Sequence, residues 1–357
     1  MLKNSGIRSA AVVNIIIILL AAIGVLIRMC TILPSPPIYN VDQTHRVLLD
    51  EPTVYPWARN HIRPLDVIPD PSKETSIFWH IPKSGGTAVK TLYECLGTTL
   101  ANQVGVDPKF NYQDKNEVIA FHPWPGISRA SYVNVDTSSK PGLNRARKMG
   151  LVPSGLVDLI ITSEVSHAVE NLFDESHKGH ILALFRHPVD RLVSKFFYLR
   201  EATWEPQYRP QWKNINILEF AKNKNRENNY VVKKLTGLRV NDMATEEDLR
   251  IAMRTIKMRF VVGLLDEMEE SVRRFNVVMG IDETDKENRE CINHLVHDSI
   301  GAKNYNSDAR LHKVEPGSTV WNAFARRNEL DIKLYLFIVD VFGQQKEIID
   351  SYESSIH

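Results

Sequence analysis

The segment Ile77 to Thr91, IFWHIPKSGGTAVKT, constrains this chain more than any other. Ile77, Phe78 and Trp79 supply β-favouring bulk, Pro82 ends the strand, Gly85 and Gly86 let the backbone approach a ligand, and Thr87 to Leu96 continue as a helix. N–H groups at such a helix start point at an anion. In the nucleoside-triphosphatase pattern, GxxxxGK followed by Ser or Thr, the Lys comes after the glycines. Here Lys83 precedes them, so an ATP or GTP loop does not fit, and the turn reads as a cradle for a different phosphate-like group.

Such a turn needs a sheet around it. Strand-like apolar runs recur at Ser76 to Ile81, Val118 to Phe121, Leu156 to Thr162, His180 to Phe185 and Phe260 to Leu264, with helical stretches between them. That alternation predicts an α/β fold with a mainly parallel sheet flanked by helices. Helices are expected at Pro188 to Arg200, Ile217 to Asn223, Thr245 to Met258, Asp266 to Met279 and Asp331 to Phe342. The third starts well, because Glu246, Glu247 and Asp248 follow Thr245 and complement the helix dipole. Residues 134–154, with Ser138, Ser139, Pro141 and Gly142, read as a long loop.

Ahead of this region, Ala10 to Ile27 is an apolar run broken only by Asn14 and Gly24, long enough to cross a bilayer. Lys3 and Arg8 precede it and Arg28 is the one charge close behind it, which favours a cytoplasmic N-terminus and a luminal remainder. The competing reading, a cleaved signal peptide, has a poor site in Ala22-Ile23-Gly24. Both send the rest of the chain into the secretory lumen. Eight prolines between Met29 and Ser76 read as an extended stem. The expected parts are thus a tail at 1–9, a transmembrane signal anchor at 10–27, a stem at 28–75 and one folded domain at 76–357. Cys30 falls at the membrane edge, leaving Cys95 and Cys291 either as a luminal disulfide or as buried free thiols. The net charge of +1 gives no global argument for nucleic acid, so anion affinity must come from local clusters.

The second motif is HILALFRHPVDRLVSKFFYLR, from His180 to Arg200. Arg186 stands at the carboxyl end of a predicted strand, where open α/β sheets bind ligands, and Pro188 starts a helix at its favoured first position. Ser194 lies two turns into that helix. Arg offers a forked, charge-assisted contact to a phosphate and Ser a neutral one.

PKSGGT at Pro82 to Thr87, followed about a hundred residues later by R-x7-S at Arg186 to Ser194, resembles the two nucleotide-binding motifs of sulfotransferases that use 3′-phosphoadenosine 5′-phosphosulfate (PAPS). The surroundings HIPKSGGT and FRHPVDRLVSKF are similar to the membrane-anchored Golgi carbohydrate sulfotransferases, including the heparan sulfate branch. NNYVVKKLTG at Asn228 to Gly237, FVVGLLDEMEESVRRF at Phe260 to Phe275 and NELDIKLYLFIVDVF at Asn328 to Phe342 look like later blocks of that family. The resemblance implies a P-loop-like sulfotransferase fold, PAPS as co-substrate, no metal, a glycan or glycosaminoglycan acceptor and a type II Golgi membrane protein with its catalytic domain in the lumen. It assigns Lys83, Ser84, Gly85, Gly86 and Thr87 to the 5′-phosphosulfate, and Arg186 and Ser194 to the 3′-phosphate. No HExxH or paired CxxC argues for a metal.

An acceptor hydroxyl must also lose its proton, which calls for a His or carboxylate within reach. Where heparan sulfate relatives carry a catalytic His pair, this chain reads TSEVSH at Thr162 to His167. Glu164 is the first candidate base, His167 the second and His122 the third, while His80 beside the cradle reads as structural. The basic groups Arg145, Arg147 and Lys148, Lys222, Lys224 and Arg226, or Lys233 and Lys234 are candidates for an anionic glycan. Trp124, Trp204, Tyr208 and Trp212 are candidates either for stacking on sugars or for the core. Alternative readings are a protein-tyrosine sulfotransferase and a non-catalytic membrane-anchored protein that binds nucleotide or glycan.

Overall fold

The structure is a computed structural model that describes residues 55–356 apart from 60, 206–207, 224–226 and 295–312. Its strands are β1 (Ser76–Trp79), β2 (Thr99–Ala101), β3 (Ala120–Phe121), β4 (Ser131–Val133), β5 (Leu159–Thr162), β6 (Ile181–Phe185) and β7 (Phe260–Leu264). They form a seven-stranded sheet in the order β3-β4-β2-β5-β1-β6-β7, parallel throughout except for the β3–β4 pair at one edge. Every residue of β1, β5, β6 and β7 is buried, as continuous apolar runs require of strands covered on both faces.

From β1 the chain winds out to the β3–β4 edge, returns through β5 and then crosses β1 to reach β6. The connections from β1 to β2 and from β5 to β6 therefore run in opposite directions, and the crevice at the carboxyl end of β1 is where this architecture accepts a ligand.

The helices are α1 (Pro56–Arg59), α2 (Gly86–Cys95), α3 (Lys140–Met149), α4 (Val165–Leu172), α5 (Pro188–Glu201), α6 (Ile217–Lys222), α7 (Tyr230–Leu235), α8 (Glu246–Arg259), α9 (Met268–Met279), α10 (Lys286–Asn293), α11 (Thr319–Ala325) and α12 (Glu329–Ile356). Pro188 opens α5, and Thr245 forms a capping box with Asp248 at the start of α8, both as the sequence requires. Phe78 of β1, Val89 and Leu92 of α2, Leu182 of β6 and Phe275 of α9 join in one buried cluster. Burial of each such side chain contributes roughly 1.5–3 kcal/mol.

Several expectations change. Residues 134–154 are not a loop, because α3 runs through them. Ser139 caps it by accepting from Gly142 N–H, Pro141 sits in the first turn where its missing donor costs nothing, and Gly150 closes the helix at φ 70°. Gly142 is required there, since a Cβ would come 2.2 Å from the Asp136 carbonyl oxygen. The strand expected over Val118 to Phe121 shrinks to two residues, as the Ile119 N–H is taken by the Asn134 side chain. The last helix continues past Phe342 to Ile356.

Residues 55–75, the end of the expected stem, pack on the sheet. Trp57 is buried against Phe260 and donates its indole N–H to Leu235 O, Ile62 bridges to Gly179, and Leu65 O accepts from the Tyr352 hydroxyl. Cys95 at the end of α2 is disulfide-bonded to Cys291 of α10. The expected anchor at 10–27 lies outside the described residues. Among the described residues no helix is long and apolar enough to cross a membrane.

Candidate functional site

The site begins where β1 stops. Beyond Trp79 the chain stays attached to β5 for one more residue through His80 N–H to Thr162 O at 2.8 Å, then turns. Lys83 takes φ 68° and Gly85 φ 92°. A left-handed conformation costs a non-glycine residue roughly 1–2 kcal/mol, so Lys83 is held there by its surroundings. A Cβ on Gly85 would lie 2.8 Å from both Leu184 and Leu265, and one on Gly86 would lie 2.0 Å from the His80 ring. The two glycines thus bring backbone against side chains that leave no space for anything larger. No side chain caps α2, Thr87 in its first turn is exposed, and the buried Ser84 hydroxyl has no hydrogen-bond partner. An uncapped helix start and an orphan hydroxyl within one turn of a lysine are features that suit an anion.

The Lys83 ammonium lies 3.8 Å above the ring of Tyr198, and the Tyr198 hydroxyl donates to Glu205 Oε1 at 2.6 Å. Desolvation and then the nearby Arg186 charge bring Lys83 down to about 8, against the opposing pull of Glu205. The same surroundings depress His80, through desolvation first and Lys83 second. Burial and the Glu205 carboxylate push Tyr198 up to about 12.

Arg186 follows β6 directly, and its guanidinium donates to Lys83 O at 3.3 Å, so the two sequence motifs meet at one edge of the sheet. His187 beside it stacks on Trp321 and meets Tyr335 edge-on at 5.4 Å. Ser194 is buried on the inner face of α5. One turn earlier, Arg191 pairs with Glu227 at 2.6 Å, Lys195 pairs with the same carboxylate, and the Tyr230 ring lies 4.9 Å from the guanidinium. Burial opposes ionisation of Glu227, yet the two cations hold it down to about 2.

Of the three candidate bases, only Glu164 comes to the carboxyl edge beside β1. It follows β5 by two residues and forms an ion pair with Lys234 at 2.8 Å. His167 Nε2 is hydrogen-bonded to Asn144 Oδ1 at 2.9 Å and ties α4 to α3. His122 is exposed next to β3, four strands from β1, about 19 Å at the usual strand spacing. Of the basic groups, Lys224 and Arg226 lie outside the described residues, while Arg147 donates to Asn171 and Lys234 pairs with Glu164. Arg145 donates to Asn134 O and Lys115 O, and Lys233 to Asn228 and Val240 O. Trp124 and Trp212 pack on aromatic neighbours, whereas Trp204 is 66% exposed.

Two residues at the site carry no signal in the sequence. Tyr198 reads as one aromatic among several on α5, and Glu205 as a loop acid; only the fold brings them to Lys83. A separate cavity of about 260 Å³, lined by Glu74, Asp158 and His180, opens at the amino end of the strands and takes no part in this site.

Chemically, the edge gathers the glycine turn, the Lys83 ammonium and the Arg186 guanidinium, a concentration of positive charge and N–H donors that suits an anion. No protein-family model matches the chain, and no curated protein matches it in sequence.

Proposed function

We propose that this chain is a sulfotransferase that moves a sulfuryl group from PAPS to a hydroxyl or amine of a carbohydrate, by direct in-line transfer. The reading is supported above all by the hydrogen bond from Arg186 to the Lys83 carbonyl, which gathers a 5′-phosphate cradle and a 3′-phosphate ligand at one crevice. The unpartnered Ser84 hydroxyl, the uncapped start of α2 and the close-packed Gly85 and Gly86 suit an incoming phosphosulfate.

In this reading PAPS supplies an activated sulfuryl group whose departure leaves charge on the bridging phosphate oxygen. Lys83 and the N–H groups of the turn stabilise that charge. Arg186 and Ser194 hold the 3′-phosphate, fixing the donor's register with respect to Lys83. Thr87 stands exposed in the first turn, where its hydroxyl adds a further donor.

We place the chain in the Golgi membrane as a single-pass type II protein, with residues 76–357 luminal and a glycan as its partner. The Cys95–Cys291 disulfide suits an oxidising lumen. The whole chain, incubated with sulfur-labelled PAPS and a panel of desulfated heparin, chondroitin and tyrosine peptides, tests the reading. Label in a glycan supports it. Label in tyrosine peptides alone replaces it with the protein-tyrosine enzyme, and nucleotide binding without transfer replaces it with the binding protein.

A further inference from the structure

We propose that Trp204 and Glu205, just after α5, form the acceptor half of the site, with Trp204 the face on which an acceptor sugar ring lies and Glu205 the carboxylate that takes the proton from its attacking hydroxyl. The inference rests on the transferase reading above and fills the one role it leaves unassigned.

The geometry starts at Tyr198. Its ring carries the Lys83 ammonium at 3.8 Å, its hydroxyl donates to Glu205 Oε1 at 2.6 Å, and it meets the Trp204 ring in a T-shaped contact at 6.3 Å. One phenol therefore sets the spacing between a cation on the donor side and a carboxylate and an aromatic face on the other. In-line displacement needs that separation, because the attacking and leaving oxygens lie on opposite sides of the sulfur. A carboxylate that accepts one hydrogen bond at Oε1 retains Oε2 and further lone pairs for a second proton.

Glu164 lacks this relationship. Its carboxylate is engaged by Lys234, whereas the Glu205 charge bears on both Lys83 and His80. Trp204 also differs in exposure from Trp124 and Trp212, which are half-buried against Phe110, Tyr132 and Phe220. At 66% exposure it presents an apolar face to solvent beside the cradle, the surface against which the C–H face of a pyranose packs.

In the step itself, the acceptor O–H bond breaks and its proton passes to Glu205. The freed electron pair forms the new O–S bond, the bridging S–O bond breaks, and its electrons leave on the nucleotide phosphate beside Lys83. The products are a sulfate ester, 3′-phosphoadenosine 5′-phosphate and a proton.

The test uses the whole chain with E205Q, E205D and W204A, measuring calorimetric binding of 3′-phosphoadenosine 5′-phosphate alongside turnover on the glycan that the wild type sulfates. All three variants are expected to bind the nucleotide like the wild type. E205Q should lose at least about 100-fold in kcat, E205D should recover part of that, and W204A should raise the acceptor KM about tenfold with kcat little changed. E205Q with wild-type kcat, or with lost nucleotide binding, overturns the inference. A wild type that neither binds nucleotide nor transfers label overturns the transferase reading itself, and this inference with it.

Discussion

The Arg186 guanidinium donates to the backbone carbonyl of Lys83 at 3.3 Å, across a sequence separation of 103 residues. Lys83 in turn has a positive φ and a depressed pKa, the latter caused by burial first and Arg186 second. Two cations drawn together at one strand edge repel, and an anionic ligand relieves that repulsion. Ligand charge and protein charge are therefore coupled at this edge.

One consequence is a pH dependence of nucleotide binding. Free Lys83 titrates at about 8, and the nucleotide's phosphates favour its ammonium form. Binding above that pH must take up a proton, so apparent affinity falls as pH rises. The expected weakening is about tenfold between pH 7 and 9. Calorimetry across that range, in buffers of different ionisation enthalpy, measures the proton uptake directly, and K83A should bind weakly with a flat profile.

Gly86 carries a second prediction. A methyl group there would collide with the His80 ring, so G86A is expected to lower stability by about 1–3 kcal/mol. Removing the obstacle should remove the cost. Denaturant unfolding of G86A, H80A and the double variant checks this, and the double variant should recover most of the loss.

Glu227 ties stability to acid. Its folded pKa of about 2 lies below the 4.5 of an ordinary glutamate, so its contribution is complete above about pH 4.5 and is lost as pH falls toward 2. E227Q leaves Arg191 buried beside a neutral partner. Loss of a buried ion-pair partner costs about 3–5 kcal/mol. Urea midpoints between pH 3 and 7 should decline for the wild type and start lower for E227Q, with a shallower decline.

The glycine turn and Arg186 were legible in the sequence because local chemistry writes them: Pro82 ends a strand, Gly85 must take a left-handed turn, and Pro188 opens a helix. The alternation of apolar runs likewise gave the mostly parallel sheet. Strands β2 and β4 escaped because each is three residues long and owes its conformation to its neighbours. Helix α3 escaped because Pro141 and Gly142 look like loop residues, although one fits the first turn and the other a contact with Asp136. Strand order put His122 at the sheet edge, and the course of α5 brought Tyr198 to Lys83, neither of which any local pattern encodes. The closeness of Glu205 to the cradle follows from that second, long-range fact.

The clamp for two phosphates is tested most directly by calorimetry of the whole chain with 3′-phosphoadenosine 5′-phosphate and with adenosine 5′-monophosphate. Charge-assisted contacts to the 3′-phosphate should make the first bind about 10–100-fold more tightly, and R186A should abolish most of that difference while barely changing affinity for the monophosphate. Equal affinity of the wild type for both nucleotides, or an unchanged preference in R186A, would contradict it.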